Sequence, residues 1–368
     1  MTEHHYRCWA EIDRGALRHN ATLIKKRFGP QVEVLAVVKA DAYGHGMIPI
    51  AKALSNEVQL FGVANLAEAI ALRAAVEQPI VLLGPALPQE LALIAEHGFI
   101  PSISNWEEAN QFNRLASEKK VPINFKIDTG MGRMGVPAHE ALALFKKVKA
   151  LPHVEIHSVS THLPVSNEDE DFTRDQLRDF SLLIKQLRSE APGNYKAHAL
   201  QTAGVLEFAD EPFEIVRPGM LFFGISPLPQ FQNILCPAMS WKTRIGLIRE
   251  MPAGHGISYG RTFITPRPMR VATLTAGYAD GYPRHLSNRG TSVLIRGRRC
   301  ALLGRVTMDL IMIDVSQLPE AVVGDEVVLM GRQGEEEIPC AELAERAETI
   351  TWEITTRIGS RVQRVYVG

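Results

Sequence analysis

Residues 34–46 read V-L-A-V-V-K-A-D-A-Y-G-H-G. An apolar run of this length, Val34 to Val38, predicts a strand buried in a sheet interior, and it ends on Lys39. Burial disfavours an ammonium and lowers its pKa, so a lysine at the polar end of a buried strand is placed to act as an amine nucleophile or base. Tyr43 adds a hydroxyl, and Gly44 and Gly46 let the backbone approach a ligand closely. The competing reading is a strand-end lysine whose ammonium snorkels to solvent.

The same texture recurs along the first two thirds of the chain. Further strands are predicted at Leu60–Ala64, Ile80–Gly84, Phe99–Ile103, Ile123–Asp128, Ile156–His162, Ala197–Leu200 and Ile215–Arg217. Helical patterns lie between them at Leu66–Ala75, Gln89–Glu96, Trp106–Glu118, His139–Lys149 and Asp175–Ser189. Alternation of this kind predicts an α/β fold, a (β/α)8 TIM-type barrel over residues 10–233. A doubly wound open sheet is the rival. The count of strands, and the polar residues stationed at nearly every C-terminal strand end, favour the barrel.

Near residue 230 the texture changes. Pro227, Pro229 and Pro237 mark a linker. Beyond it, β-branched runs broken by Gly, Pro and Asn fall at Ser240–Arg249, Met269–Leu274, Thr291–Ile295, Arg299–Val306, Ile311–Val315 and Glu326–Met330. They predict a mainly antiparallel β domain over 234–368, with a helical pattern at Leu343–Arg357 and a last strand at Val362–Val367. An N-terminal strand in residues 1–9, continuing through Arg7–Ile12, is expected to join it.

Composition narrows the function classes. The 368 residues are 46% hydrophobic and 22% charged with a formal net charge of -1, so nothing points to nucleic acid or an anionic membrane as partner. Cys8, Cys236, Cys300 and Cys340 are scattered without metal-ligand spacing, and His4-His5 is an isolated pair; no metal site is expected. With no secretory leader pattern and no apolar run of ~20 residues, a cytoplasmic protein is expected.

Active sites of such barrels lie at the C-terminal strand ends. There the sequence sets Lys39, then K-I-D-T-G-M-G-R-M-G at 126–135 with Arg133 among glycines, then His162, Q-T-A-G at 201–204 and R-P-G-M at 217–220. Small residues after the seventh and eighth strands expose backbone N–H groups to an anion, and Thr202, Gly204, Gly219 and Met220 are suitably placed. A lysine, a phosphate cradle and an arginine facing a heterocycle together indicate pyridoxal 5'-phosphate joined to the lysine. In the second domain T-A-G-Y-A-D-G-Y, at 275–282, follows an apolar strand and brackets Tyr278 and Asp280 with glycines; it is either a turn with a packed tyrosine or a tyrosine held as an acid–base group. A later segment, G-R-V-T-M-D-L at 304–310, carries Met308 and Asp309.

In order and spacing, A-V-V-K-A-D-A-Y-G-H-G, D-T-G-M-G-R-M-G, R-P-G and G-Y-A-D-G resemble the alanine racemase family, across essentially the whole chain. The resemblance implies pyridoxal-phosphate-dependent interconversion of L- and D-alanine in a homodimer with shared sites, supplying D-alanine for peptidoglycan. It assigns Lys39 as the cofactor-bearing lysine and one base, and Tyr278 as the other, reaching the partner subunit's site. Tyr43, Thr202, Gly219 and Met220 fall at the phosphate, and Arg217 at the pyridine nitrogen. Arg133 is similar to the arginine that orients the ring oxygen and the substrate carboxylate. Lys126, with Asp309 a further supporting residue, resembles a lysine that is carbamylated in many members. His162 resembles the histidine beside the ring, and Met308 a substrate-contacting position. Gln201-Thr202, where Asn-Ser is common, Thr307 in place of a frequent cysteine, and Ser360 in place of a tyrosine depart from the pattern and bear on substrate range. The rivals are a pyridoxal-phosphate decarboxylase, a racemase of serine or lysine, and a non-catalytic cofactor-binding protein with the barrel alone. Arg217 argues against the first, since such decarboxylases usually set a carboxylate at the pyridine nitrogen, and the second domain against the last.

Overall fold

A computed structural model describes residues 6–116 and 119–368. His4, His5 and the start of the expected N-terminal strand lie outside the described residues, as does the end of the Trp106–Glu118 helical pattern. The chain divides into two compact units. One comprises Leu17–Ala42 and Met47–Leu235; the other comprises the N-terminal segment through Ala16, Tyr43–Gly46 and Cys236–Gly368.

The first unit is built on parallel strands Glu33–Val37, Leu60–Val63, Ile80–Leu82, Ile100–Ile103, Val121–Asp128, Val154–Ser160, Lys196–His198 and Ile215–Val216. Each pairs with the next as far as Lys196–His198, and Ile215–Val216 pairs back onto the first, Ile215 opposite Glu33. The last seam carries one parallel bridge, Gln201 to Arg217. The sheet is therefore a nearly closed eight-stranded barrel, and return of the eighth strand to the first excludes the open-sheet rival. Strand residues such as Leu35, Phe61, Val81 and Phe125 are buried, as expected where helices cover the outer face. Among the described residues no helix is long and apolar enough to cross a membrane.

The barrel interior also holds a polar layer that the strand pattern did not reveal. Asn124 donates through Nδ2 to Ser102 Oγ and Ser160 Oγ, both at 2.9 Å, and its Oδ1 accepts from Ser158 Oγ at 3.1 Å. Buried amide groups cost free energy unless paired, and this one has partners for both its ends.

The deciding segment departs from expectation at Lys39. The strand stops at Val37, and Lys39–Tyr43 forms a left-handed turn in which Ala40, Asp41, Ala42 and Tyr43 have φ of 52 to 54°. For L-residues each such conformation costs roughly 1–2 kcal/mol, so a run persists only where its surroundings dictate it. Here Ala42 N–H donates to Val38 O at 2.9 Å, Ala40 N–H donates to Glu68 Oε1 at 2.8 Å, and Asp41 Oδ1 accepts from Met47 N at 2.7 Å, capping helix Met47–Leu54. One of these restraints, Glu68, lies 28 residues on, and local pattern does not register it.

The second unit is mainly an antiparallel sheet around the long strand Met239–Met251, which pairs with Cys8–Asp13, Met269–Leu274 and Glu326–Gln333. Cys8–Asp13 also pairs in parallel with the last strand, Gln363–Val367. Two expectations need correction. The Leu343–Arg357 pattern is two helices, Cys340–Arg346 and Thr351–Thr356, interrupted by Glu348 at φ 55°. The strand expected at Arg299–Val306 ends at Ala301, because Gly304 turns the chain at φ 68° against Ile257 O.

Gly44 tests how tightly this unit packs around its Tyr43–Gly46 segment. Its φ is +83°, and a Cβ there would lie 2.1 Å from Thr355 O. Gly44→Ala is expected to cost roughly 2–5 kcal/mol, the sum of left-handed strain and overpacking. Gly29→Ala, at φ +74° with nothing within 4 Å of the added Cβ, should show the strain alone. Equal urea midpoints for the two variants would overturn the close-approach account.

Candidate active site

At the strand ends of the first unit, the loop after Val121–Asp128 is shaped by its last residue. Asp128 Oδ1 accepts from Gly130 N and Met131 N at 2.9 Å, and Oδ2 accepts from Gly132 N at 3.0 Å. Burial alone would push this carboxyl up, but those backbone donors, helped by Lys126, hold it below its usual value. Gly135 leaves the loop at φ +124° with a Cβ position 2.6 Å from Asp128 N, where a side chain has no room. The loop presents Arg133 on the surface of the unit. Beside it, Gln176 donates to Thr129 Oγ1 at 2.7 Å and to His162 O at 3.0 Å, tying the fifth and sixth strand ends together. Gln176 had no sequence signal, because it lies inside an amphipathic helix, Glu170–Glu190, where a buried polar residue looks like an exposed one.

Arg217 lies buried in the barrel. Its Nη1 donates to His198 Nδ1 at 2.5 Å, and Nη2 donates to Thr161 O at 2.8 Å and Ala199 O at 2.9 Å. A guanidinium only donates, so His198 Nδ1 must accept and the imidazole proton sits on Nε2. These three bonds leave two of the five N–H donors unused, the one on Nε and the second on Nη1. His198 was missed by the sequence reading. Its signal was the alternation in Lys196-Ala197-His198-Ala199, which sends the same face inward as Lys196.

Positive charge crowds this end of the barrel. Burial pulls the Arg217 guanidinium from above 12 to about 9, still charged at neutral pH. Lys126 keeps some exposed surface, yet burial first, then Arg217 and Arg133, hold its ammonium well below the usual range. Lys39 is lowered by burial and by Arg133, with Glu68 opposing. His162 falls to about 2, chiefly from burial and then from Arg217, Lys126, Arg133 and Lys39, so it is neutral at any working pH. Glu68 opposes this field at Lys39 and Asp128 at Lys126, and the lysine and arginine N–H groups gathered here are the donor set of an anion site. Thr202 Oγ1 accepts from Gly219 N at 3.1 Å, which leaves the hydroxyl proton for an acceptor in the cradle. Gln201 is turned away: Oε1 caps helix Thr202–Glu207 through Ala203 N at 2.6 Å, and Nε2 donates to Ser166 Oγ at 2.6 Å. The residues present fit a phosphate-bearing group.

A pH prediction follows from the buried histidines. His157, His162 and His198 are all pushed below 6.5, so the unfolded chain binds protons that the folded chain refuses. Stability is then fully present above pH ~6.5 and falls as pH drops through that value, by up to about 1.4 kcal/mol per pH unit for each histidine. Urea unfolding of the cofactor-free protein from pH 8 to 5 checks the sign, and a flat profile would contradict it.

The second unit carries Tyr43, Tyr278, Met308 and Asp309. Tyr43 is buried in the left-handed turn. Tyr278 N donates to Thr307 O at 3.0 Å and Ala279 N to Met308 O at 2.9 Å, so the two loops are backbone-paired. Buried Asp280 accepts from Gly277 N at 2.8 Å and pairs with Arg361 at 3.0 Å, and Arg361 reaches Asp309 at 2.8 Å. Ser360 precedes that arginine. Tyr278 is 41% exposed and Met308 53%.

Residues 12–227 match the family described as alanine racemase, N-terminal domain, and residues 238–366 match alanine racemase, C-terminal domain. The chain belongs to the alanine racemase family. The alanine racemase of Halothermothrix orenii is 42% identical, with 97% of this chain and 96% of the relative covered. Among solved structures, alanine racemase from Bacillus anthracis with bound L-Ala-P has a TM-score of 0.91 at 34% identity, covering 99% of this chain and 96% of that one. Alanine racemase from Bartonella henselae with covalently bound pyridoxal phosphate has a TM-score of 0.89 at 30% identity, covering 98% and 100%. The chain is thus an amino-acid racemase acting on alanine, and the family membership stated from its motifs holds over both units.

Proposed function

We propose that this racemase interconverts L- and D-alanine with pyridoxal 5'-phosphate, using Lys39 and Tyr278 as bases on opposite faces of the substrate. The observation that carries the reading is the buried Arg217 guanidinium, fixed by three protein acceptors beneath a cationic, phosphate-fitting cradle. The Bartonella henselae relative, with its covalently bound pyridoxal phosphate, supports the choice of group. When bound, that cofactor supplies an electron sink that makes the α-proton of the amino acid acidic enough to remove.

The protein's own residues then divide the work. Arg217 would hold the ring nitrogen, and as a charged guanidinium it would donate a hydrogen bond without surrendering its proton. A sink held this way would be weaker than one protonated by a carboxylic acid, and so would suit return of the proton to Cα. Thr202, Gly219 and Met220 would hold the phosphate, a role the family pattern also gives Tyr43. Arg133 orients the substrate carboxylate, with Lys126 behind it, and Met308 borders the substrate methyl. Lys39, with its ammonium destabilised by burial and Arg133, is the base on one face. His162, held neutral, lines the ring without adding charge. Inversion needs a second base across the plane, and Tyr278 is the residue for it.

Tyr278 and Met308 stand exposed on the second unit, so we assign them to the site of a partner subunit in a homodimer. The division of labour follows residues 10–233 for the cofactor and 234–368, with the N-terminal strand, for the partner's site. Supply of D-alanine for peptidoglycan in the cytoplasm is the corresponding role.

Incubation of L-alanine with enzyme and pyridoxal phosphate in deuterated water tests the reading. Equal D and L product carrying deuterium at Cα is expected. Loss of the carboxylate, or no exchange in alanine, would overturn it.

A further inference from the structure

We infer that Glu68 is the positioning residue of Lys39: its carboxylate fixes the left-handed turn on which the lysine is mounted. The inference rests on the reading of Lys39 as a base.

Glu68 is the third residue of helix Leu66–Arg73, whose first turn is capped by Asn65 Oδ1 accepting from Glu68 N at 3.0 Å. A glutamate at this place ordinarily turns back onto its own helix start. The chain contains a matched case. In helix Trp106–Leu115, Asn105 caps Glu108 N at 2.9 Å; Glu108 Oε2 accepts from Ser104 N and Oε1 from Asn105 Nδ2, all within one helix start. Glu68 makes the equivalent first bond, Oε2 to Ala64 N at 2.7 Å. Its second oxygen leaves the helix and accepts from Ala40 N at 2.8 Å. One carboxylate therefore joins the ends of the first and second barrel strands, at the residue that follows Lys39 and opens the left-handed run.

The electrostatics agree with the geometry. Burial and Arg133 lower the pKa of Lys39, and Glu68 is the carboxylate that raises it. His162, the other titratable neighbour coupled to Lys39, is neutral. Without Glu68, burial and Arg133 act on the amine unopposed, and the turn loses the acceptor of its first N–H.

The test compares wild type, Glu68→Gln, Glu68→Asp and Glu108→Gln as holoenzymes. For Glu68→Gln we expect kcat to fall roughly 10- to 100-fold with little change in KM, as for a lost charged hydrogen bond that positions a reacting group. The acid limb of the kcat profile should move to lower pH, because a lysine without its carboxylate partner loses its proton more easily. Amide hydrogen exchange over residues 40–43, read by mass spectrometry, should accelerate. Glu68→Asp should restore the acid limb, since the charge returns, while exchange stays fast. Glu108→Gln should leave pH profile and exchange as in wild type. An unmoved acid limb together with unmoved exchange in Glu68→Gln overturns the proposal, as does the same shift in Glu108→Gln. Turnover surviving in Lys39→Ala overturns both this proposal and the base assignment. A dead Lys39→Ala with a wild-type Glu68→Gln overturns the Glu68 proposal alone.

Discussion

Lys39→Ala is expected to lower racemisation in both directions by about 10³-fold or more, the scale of losing a positioned base, with further loss from cofactor attachment. Two lysines of this site have depressed pKa values, so the assignment needs a test between them. Lys126 lies within strand Val121–Asp128 and is lowered further, by Arg217 and Arg133 as well as by burial. Its surroundings disfavour its ammonium inside the wall. Lys39 sits past the strand end on a turn fixed by Glu68 and Asp41, where an amine can be displaced and return without disturbing the barrel. Borohydride reduction followed by peptide mapping should fix the cofactor's mass on the peptide bearing Lys39. Lys126→Ala should leave that mass where it is. Mass on Lys126 in the wild type would reverse the assignment.

Much of the barrel was legible because its strands are buried on both faces and therefore read as short, unbroken apolar runs. Met269–Leu274 agrees residue for residue, and the barrel strands lie within a few residues of expectation. Their ends are shorter at Leu60–Val63 and Ile80–Leu82 because the following residues already bend into loops. The left-handed turn was not legible: Ala40, Asp41 and Ala42 carry no preference for positive φ, and the bonds that enforce it come from Glu68 and from the following helix. The same physics hid His198, Gln176 and Asn124. A buried polar side chain is recognised by its partners, which pattern along a strand or helix does not supply.

The candidate site divides in the same way. Lys39, Arg133 and His162 were visible as polar residues at strand ends, the first two with glycines close by. What the structure adds is why they behave as a set: Arg217 is charged, buried and bonded, and after burial itself its field helps keep His162 neutral and lowers the pKa of Lys126. Gln201, the departure expected to reshape the pocket, spends its amide on a helix cap and on Ser166. Any change in substrate range therefore falls to Thr307 and Ser360 before Gln201.

Tyr278→Phe is expected to reduce racemisation by about 10²- to 10⁴-fold while the protein stays folded, because the phenol is exposed and its loop is held by backbone. Gly277 has no room for a side chain, with Met308 O 2.3 Å from a Cβ position, and Gly281 is closed off by Arg357 O at 2.2 Å. Loss of one hydroxyl leaves that frame intact. The remaining base, Lys39, should still exchange the α-proton of D-alanine for solvent deuterium, whereas L-alanine should not exchange. Near-normal turnover in both directions would end the two-base assignment. The variant also tests where the tyrosine works. Lys39→Ala and Tyr278→Phe each destroy a site, and mixing them after dissociation produces heterodimers. If each site takes Lys39 from one subunit and Tyr278 from its partner, one site of every heterodimer is whole. Random pairing then restores about a quarter of wild-type activity, half the dimers being mixed and one of their two sites intact. If both bases come from a single chain, no pairing restores a site and the mixture stays inactive.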